Sequence, residues 1–418
     1  MFLKIQFTEI MKWWLLLAIM LFIMYSSMMW KWGHQGDMLF WLNWSNYIFK
    51  NGFTNIYNSG CNYQPAYLYF LYLHTKIQGN LTDIQDNLYT LKYYTLIFDF
   101  LAAFFAVWFV KVEIKKVFYF FFLMFNVAFL YNTAFWAQVD SIYTCFGLIA
   151  IVAAIERKII WSCIAIGIAL NFKLQALVFI PIVGLILLPQ ILSKDGLTKF
   201  VIGLFLAAGI SILILMPFLL QGKIHQVFSV ISHSVDFYPF PTLGAFNIWS
   251  IFLPNVSIDG MYQLTDETKF MFLTYKQIGF FLFFSAVFST LFSYLIFLKK
   301  KLLDKISIEY ETKNIFLMAS LVSINFYFLN TQMHERYVHP AIVLMATYSF
   351  LSKRYVPFIL LSIAYFLNLE RICWYLNLHH DTYMNGFIFK PRLIAGIYLI
   401  TILWSYYNLY FDKTKIEN

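Results

Sequence analysis

The feature of this chain that most constrains its fold is a series of long apolar segments separated by polar connections. A helix of roughly 17 to 22 apolar residues crosses the hydrocarbon core of a bilayer, and its backbone groups must satisfy one another inside lipid. About twelve such segments, some of them shorter where the connection is tight, occur near residues 13–30, 89–110, 117–131, 141–155, 159–170, 176–192, 200–220, 277–298, 314–329, 338–351, 356–368 and 393–410. The sequence therefore predicts an all-α integral membrane protein with about 12 transmembrane helices, folded as one polytopic domain over residues 1–418.

Composition excludes a soluble globular domain. Of the 418 residues, 61% are hydrophobic and 12% are charged, whereas soluble domains are nearer half apolar and a quarter charged. The net charge of +9 would suggest nucleic acid for a soluble chain, but here the basic residues stand between apolar segments, as topology signals do. We therefore expect no nucleic-acid partner. The four cysteines are scattered without a metal-ligand spacing, so we expect neither a zinc site nor a disulfide framework.

The basic residues also predict which connections are cytoplasmic. Seven short connections hold 18 of the 30 basic residues: Lys4 and Lys12; Lys111, Lys115 and Lys116; Arg157 and Lys158; Lys194 and Lys199; Lys299, Lys300, Lys301, Lys305 and Lys313; Lys353 and Arg354; Lys413 and Lys415. Such an excess of Lys and Arg is typical of the cytoplasmic side, where we also place both termini. The opposite face then carries two long loops, about 31–88 and 221–276, in which we expect interfacial helices and the functional site.

The first of these loops begins with an acid among aromatic residues. Asp37 follows His34 and precedes Trp41 and Trp44. If the chain is helical after Gly36, Asp37 and the two tryptophans share one face, because positions four and seven apart lie along the same side of a helix. The alternative is an aromatic belt at the membrane surface with a solvated acid beside it.

Two short connections on the same predicted face carry further polar groups, Gln138 and Asp140 in one, Lys173 and Gln175 in the other. Asp140 could instead cap the helix that follows it, because helix N-termini favour acids. Lys173 could instead be a lysine that extends from an apolar segment to the membrane surface.

Two more clusters complete this face. Asn247 lies at the end of a proline-rich loop. It could belong to a binding site, and the alternative is that the loop simply forms a hydrophobic helix there. His334, Glu335, Arg336 and Tyr337 follow one another between two apolar segments. Ionisable groups are costly to hold near lipid unless they pair or bind something polar, so this cluster favours a functional role.

One further acid, Asp99, falls inside a predicted span, where a carboxylate needs a proton, a partner or water. A structural hydrogen bond is the default interpretation, and a proton relay is the alternative. The sequence contains no glycine-rich phosphate loop, HExxH or DxD pattern. The familiar motifs of soluble enzymes are therefore absent.

Chemically, these clusters suit the transfer of a group from an anionic lipid carrier. A carboxylate such as Asp37 can act as general base for an acceptor hydroxyl. Arg336, His334 and Lys173 could hold a phosphate and stabilise its charge as it leaves. The aromatic faces of Trp41 and Trp44 would suit a sugar.

On these residues the chain resembles the GT-C glycosyltransferases, most closely bacterial mannosyltransferase-like members and the catalytic subunit of the first GPI mannosyltransferase. The resemblance extends over most of the chain and rests on these motifs: Gly36-Asp37, Tyr63-Gln64-Pro65-Ala66-Tyr67-Leu68-Tyr69, Lys92 with Asp99, Trp136-Ala137-Gln138-Val139-Asp140-Ser141, Lys173-Leu174-Gln175-Ala176, Ala245-Phe246-Asn247-Ile248-Trp249 and Met333-His334-Glu335-Arg336-Tyr337.

The resemblance implies an outer-facing active site, a polyprenyl-phosphate sugar as co-substrate and donor, inversion at the anomeric carbon, and an acid in the first outer loop as base, which Asp37 matches. Some relatives carry a second acid two residues on, where this chain has Leu39. We therefore expect no metal ion and no other cofactor. The implied partners are a lipid-linked sugar, such as one of mannose or another hexose, and a glycan, lipid or protein acceptor.

Two other functions compete with this interpretation. A transporter or flippase for a lipid-linked sugar would show repeat symmetry, and no repeat is visible in the sequence. A polysaccharide ligase or polymerase would depend on outer-loop arginines. The sequons at Asn43, Asn80 and Asn255 favour a bacterial inner membrane, because an endoplasmic reticulum protein, the alternative for a eukaryotic host, would risk glycosylation there.

Overall fold

A computed structural model describes residues 9–233, 238–253, 264–303, 311–378 and 384–411. The described part of the chain contains eighteen α-helices: α1 (Glu9–Ser27), α2 (Gln35–Asn51), α3 (Pro65–Gln78), α4 (Leu81–Asp86), α5 (Leu91–Ala106), α6 (Glu113–Met124), α7 (Val127–Leu130), α8 (Asp140–Ile155), α9 (Ile159–Phe172), α10 (Ile180–Ile191), α11 (Lys194–Leu220), α12 (Ile224–His233), α13 (Ile248–Phe252), α14 (Tyr275–Leu303), α15 (Thr312–Leu329), α16 (His339–Ser352), α17 (Val356–Cys373) and α18 (Pro391–Phe411).

Helices lie at all twelve apolar segments predicted from the sequence, which confirms the predicted positions, except that the segment 117–131 is divided into two helices, α6 and α7. Within the described residues, eight helices are long and apolar enough to cross a membrane, or nine if a pair bent by 60° at residues 125–126 counts as one span. The protein is thus a helical membrane protein, and the number of twelve crossings stays a prediction. One short antiparallel hairpin, β1 (Lys269–Phe270) with β2 (Leu273–Thr274), was not predicted.

Several sequence predictions lie outside the described residues. They concern the basic residues Lys4, Lys305, Lys413 and Lys415, the sequon at Asn255 and parts of the second long loop.

The α8–α9 hairpin positions two of the polar clusters. Helix α8 begins at Asp140, and α9 ends immediately before Lys173. The turn between them carries Arg157, whose φ of 58° gives the backbone the left-handed conformation that reverses the chain. Asp140 and Lys173 therefore lie at one end of the hairpin, and the basic turn lies at the other.

The last polar cluster reaches the same end by a similar arrangement. It lies between the end of α15 and the start of α16, while Lys353 and Arg354 follow α16 at its opposite end. Helices α8, α15 and α16 form the most buried part of the molecule.

The first long loop folds into α2, α3 and α4 with intervening 3₁₀ turns, which confirms the expectation of helices there. Trp41 and Trp44 on α2 are buried, and the ring centroid of Trp41 lies 4.9 Å from that of Tyr67 on α3. Helix α12 of the second long loop packs beside this unit, where the Gln226 amide donates to Asn58 Oδ1 at 2.8 Å. The two long loops are therefore in direct contact.

Candidate active site

The two long loops and the ends of α9 and α15 enclose a cavity of about 1160 Å³. Nine of the twelve residues predicted for the site line it: Asp37, Trp41, Trp44, Lys173, Gln175, His334, Glu335, Arg336 and Tyr337. Their positions in the sequence span three hundred residues. The predicted clusters therefore converge on one place.

Asp37 lies in the first turn of α2, which confirms that the chain is helical there. The indole Nε1 of Trp136 donates to Asp37 Oδ2 at 2.6 Å, and His34 Nδ1 lies 3.2 Å from the same oxygen. Burial would raise the pKa of Asp37, but the charge of Arg336 and the adjacent His34 outweigh burial and hold that pKa well below its ordinary value. Asp37 is therefore a carboxylate at neutral pH.

Trp136 belongs to one of the sequence motifs but was not predicted as a site residue. Its ring stacks on His34 with centroids 4.7 Å apart, and its carbonyl accepts the His34 N–H at 3.0 Å. A buried indole N–H needs a hydrogen-bond acceptor. A tryptophan in a polar connection was therefore the signal in the sequence that could have linked Trp136 to a nearby acid. Trp136 and His34 together fix the orientation of Asp37.

Lys173, which lines the cavity, forms a buried ion pair with Asp140, which lies behind it. Asp140 is the first residue of α8, where an acid suits the helix N-terminus as the alternative interpretation held, and its carboxylate also lies 3.7 Å from Arg336 Nε. Lys173 is 8% exposed, so it does not extend to the membrane surface. Its ammonium lies between the rings of Tyr63, Tyr143 and Tyr337, at 5.9, 5.9 and 5.4 Å from their centroids. An aromatic cage of this kind stabilises a cation.

Arg336 is the second cation of the cavity. Its Nη1 donates to Glu335 Oε1 at 2.8 Å, and its Nε lies 3.7 Å from Asp140 Oδ2. Burial opposes the charge, but the carboxylates of Asp37 and Glu335 outweigh burial and raise the pKa of Arg336 well above its ordinary value. Only one of its five N–H donors is needed for Glu335, which leaves a guanidinium on the cavity wall suited to an anion.

His334 differs from the two cations. Burial, followed by the charge of Arg336, lowers the pKa of His334, so the imidazole is neutral at pH 7. The backbone of His334 forms isolated β-bridges with Leu243 and Gly244 of the second long loop. His334 can therefore offer a hydrogen bond to a ligand in the cavity but no positive charge.

The remaining three predicted residues lie outside the cavity lining. Gln138 accepts a hydrogen bond from the Tyr63 hydroxyl at 3.0 Å. Asn247 is fully buried, and its side chain accepts the Trp249 N–H at 3.1 Å while donating to Asn330 O at 3.3 Å. Asp140 reaches the cavity only through Lys173 and Arg336. These residues support the walls of the cavity, and their predicted role in substrate binding stays a prediction.

Asp99 accepts a hydrogen bond from the Ser141 hydroxyl, which also lies 3.1 Å from His339 Nε2. This is the structural hydrogen bond taken as the default in the sequence. Asp99 is fully buried and lies outside the cavity lining.

The arrangement combines an ionised carboxylate, held by two neighbouring rings, with a guanidinium in one semi-enclosed space. It can accept a proton at Asp37 and stabilise an anion at Arg336. No three His, Cys, Asp or Glu side chains in the described ranges are grouped so as to hold a metal ion, and catalysis without a metal stays a prediction. Comparison with protein-family models and with curated proteins finds no match for this chain.

Proposed function

We propose that the protein is a membrane glycosyltransferase of the GT-C type, which moves one sugar from a polyprenyl-phosphate donor to an acceptor hydroxyl with inversion. The observation that carries the proposal is the placement of Asp37 and Arg336 in one cavity of a helical membrane protein. Mannose or another hexose is the proposed sugar, and the outer face of a bacterial inner membrane is the proposed location.

In the proposed reaction, the acceptor oxygen attacks the anomeric carbon while the bond from that carbon to the phosphate oxygen breaks. The acceptor proton passes to Asp37, and the electron pair of the broken bond stays on the polyprenyl phosphate. Arg336 stabilises this leaving group through a charge-assisted hydrogen bond, with the neutral His334 as a further donor. In an inverting transfer the base and the leaving group stand on opposite sides of the sugar.

The electrostatics of the cavity give this reaction an order of events. Arg336 holds the pKa of Asp37 down, which makes the carboxylate a weak base in the free protein. A donor phosphate that pairs with Arg336 opposes this influence, because its negative charge lies beside the guanidinium. The basicity of Asp37 then rises only when the donor is in place.

Lys173 has a supporting role in the proposal. It lines the cavity but is already paired with Asp140. We assign to Lys173 and Asp140 the positioning of Arg336 and Tyr337, with Lys173 adding positive charge near the phosphate. Trp41 and Trp44 also line this cavity but are 1% and 3% exposed, so we propose contact with the sugar only at the edges of their rings.

The test is to incubate the purified protein in lipid nanodiscs with a panel of radiolabelled polyprenyl-phosphate sugars and an acceptor panel of glycan, lipid and peptide. We expect one donor to be consumed with release of polyprenyl phosphate. If no donor is consumed but a lipid-linked sugar crosses the bilayer of proteoliposomes that contain the protein, the protein is a transporter and the proposal is wrong.

A further inference from the structure

A buried lysine at the start of α5 binds the two chain segments that hold Asp37. The Lys92 ammonium donates to three backbone carbonyls, Trp30 O at 3.0 Å, Trp32 O at 2.6 Å and Ala134 O at 2.8 Å. Lys92 is only 2% exposed. An ammonium has three N–H donors, so these three carbonyls use all of them.

The carbonyls belong to irregular backbone that needs such a partner. Trp30 and Trp32 lie in the connection between α1 and α2, and Ala134 lies in a π-helical turn, Tyr131–Phe135. Buried carbonyl groups without a hydrogen bond are costly. Lys92 therefore determines how the two segments lie against each other.

The same two segments carry the side chains that orient Asp37. Trp32 lies two residues before His34, and Ala134 lies two residues before Trp136. The segments approach closely, because a Cβ at Gly33 would lie 3.0 Å from Ala137 Cβ and from Trp136 O. Lys92 thus joins the two backbone segments that bear the residues in contact with the carboxylate.

We propose that Lys92 is a positioning residue for Asp37, acting through the backbone segments that bear His34 and Trp136. The inference rests on the proposed function, in which Asp37 is the base. Lys92 touches no substrate, so its loss should slow the transfer step while leaving the donor contacts of Arg336 in place.

The test compares Lys92→Met, which removes the donors, with Lys92→Arg, which keeps them, and with Lys31→Met as control. Lys31 lies in the same connection but is exposed. We expect Lys92→Met to lower kcat by about tenfold to a hundredfold, as small displacements of catalytic groups do, with donor KM within about twofold of the parent. Lys92→Arg should recover part of this loss, and Lys31→Met should behave like the parent.

A second variant tests whether Lys92 acts through Trp136. Trp136→Phe removes the indole donor to Asp37 and should lower kcat to a similar extent. The double variant Lys92→Met/Trp136→Phe should be no slower than the slower single variant, because both act through one element. If the two effects multiply, Lys92 does not act through Trp136 and the inference is wrong.

Hydrogen exchange gives a readout that does not depend on activity. Peptides covering residues 30–41 should exchange faster in Lys92→Met than in the parent, since the His34 N–H bond to Trp136 O would open more often. Unchanged exchange together with parental kcat overturns the inference. A fall of kcat and donor affinity together, with a lower unfolding temperature, assigns Lys92 to overall stability and also overturns it.

The inference can still be tested if Lys92→Met does not fold or if the parent protein shows no transfer. If Lys92→Met does not fold, Lys92→Gln, which retains two N–H donors, takes its place, and parental kcat and exchange in that variant contradict the inference. If the parent itself transfers no sugar, the proposed function fails, and the exchange of the His34 segment alone decides whether Lys92 orders it.

Discussion

Asp37 is the residue on which the proposed chemistry depends, and its replacement by asparagine is the first prediction. Asp37→Asn keeps the shape and can still accept the Trp136 N–H, but it cannot take a proton. A positioned base contributes roughly a hundredfold to ten-thousandfold in rate, so we expect transfer at least about a hundredfold slower with donor binding near the parental value. Single-turnover kinetics and a donor-binding titration measure the two quantities separately.

The matched control is Asp86→Asn, an exposed acid in the same long loop. It should transfer sugar at the parental rate. Near-parental turnover in Asp37→Asn, combined with loss of turnover in a folded Asp140→Asn variant, would show that the wrong carboxylate has been assigned. The burial of Asp140 and its pairing with Lys173 make that outcome unexpected.

Arg336 is the subject of the second prediction. Arg336→Lys keeps a positive charge but loses the planar fork of donors, with which one nitrogen can bind Glu335 while others face the cavity. We expect the Kd for donor to rise about tenfold, equivalent to ~1.4 kcal/mol. Arg392→Lys, at an exposed position on α18, is the control. Parental donor binding in Arg336→Lys would make the cluster structural, with Glu335 simply neutralising the arginine.

The pH dependence of transfer gives the third prediction. The pKa of Asp37 is held below its ordinary value of about 3.8, so kcat/KM for the parent should not fall through protonation of Asp37 between neutral pH and that value. Arg336→Gln removes the strongest of the interactions that lower this pKa. The pKa of Asp37 should then rise, and kcat/KM should be lost at a higher pH as the solution is acidified. Identical acid limbs in the two proteins would contradict the proposed coupling.

The helices bring the polar clusters together because they reverse direction at basic turns. Helices α8 and α9 present Asp140 and Lys173 at one end, and α8 packs tightly against the 3₁₀ turn that follows α9. Gly147 on α8 allows this approach, since a Cβ there would lie 2.2 Å from the ring of Phe179. Gly147, seven residues after Asp140 on α8, therefore allows α8 to approach the turn that follows Lys173.

Gly147→Ala is the fourth prediction. The added methyl group must displace Phe179 or the helix, and such overpacking costs about 1–3 kcal/mol. Gly184→Ala on α10 is the matched control, because a methyl group added there would have nothing within 4 Å, and alanine favours a helix over glycine by roughly 0.5–1 kcal/mol. Thermal unfolding in one detergent should show a lower midpoint for Gly147→Ala and an equal or higher midpoint for Gly184→Ala. Equal midpoints for the two variants would mean that α8 and Phe179 accommodate the added methyl group without loss of stability.

The arrangement of the whole chain in the membrane gives the fifth prediction. The described basic turns lie at the opposite ends of their helices from the cavity, as a cavity on the non-cytoplasmic side requires. In a cysteine-free background, a cysteine at the exposed position of Ser232 on α12 (Ser232→Cys) should react with a membrane-impermeant maleimide in intact cells. Glu156→Cys, in the turn after α8, should react only after permeabilisation. The reverse pattern would place Asp37 on the cytoplasmic side and contradict the proposed mechanism.

Much of this architecture follows from the sequence alone, for physical reasons. Lipid requires long apolar helices, so the length of each apolar segment predicted its helix, and the positions of Lys and Arg predicted which helix ends share a side. Their spacing of four and seven residues along a helix predicted that Asp37, Trp41 and Trp44 share one face of α2, and all three line the cavity. The sequence thereby determined which polar clusters could meet.

Only the tertiary structure decided how they meet. Partners such as Trp136 with Asp37, Lys173 with Asp140, or Lys92 with Trp32 are separated by about thirty to a hundred residues, and no local periodicity encodes such pairs. The packing of the helices likewise left Gln138, Asp140 and Asn247 behind the cavity wall, although their residue types resemble those that line it. Residue type fixes what a side chain can do, whereas burial and the neighbouring charges fix which of those roles it takes.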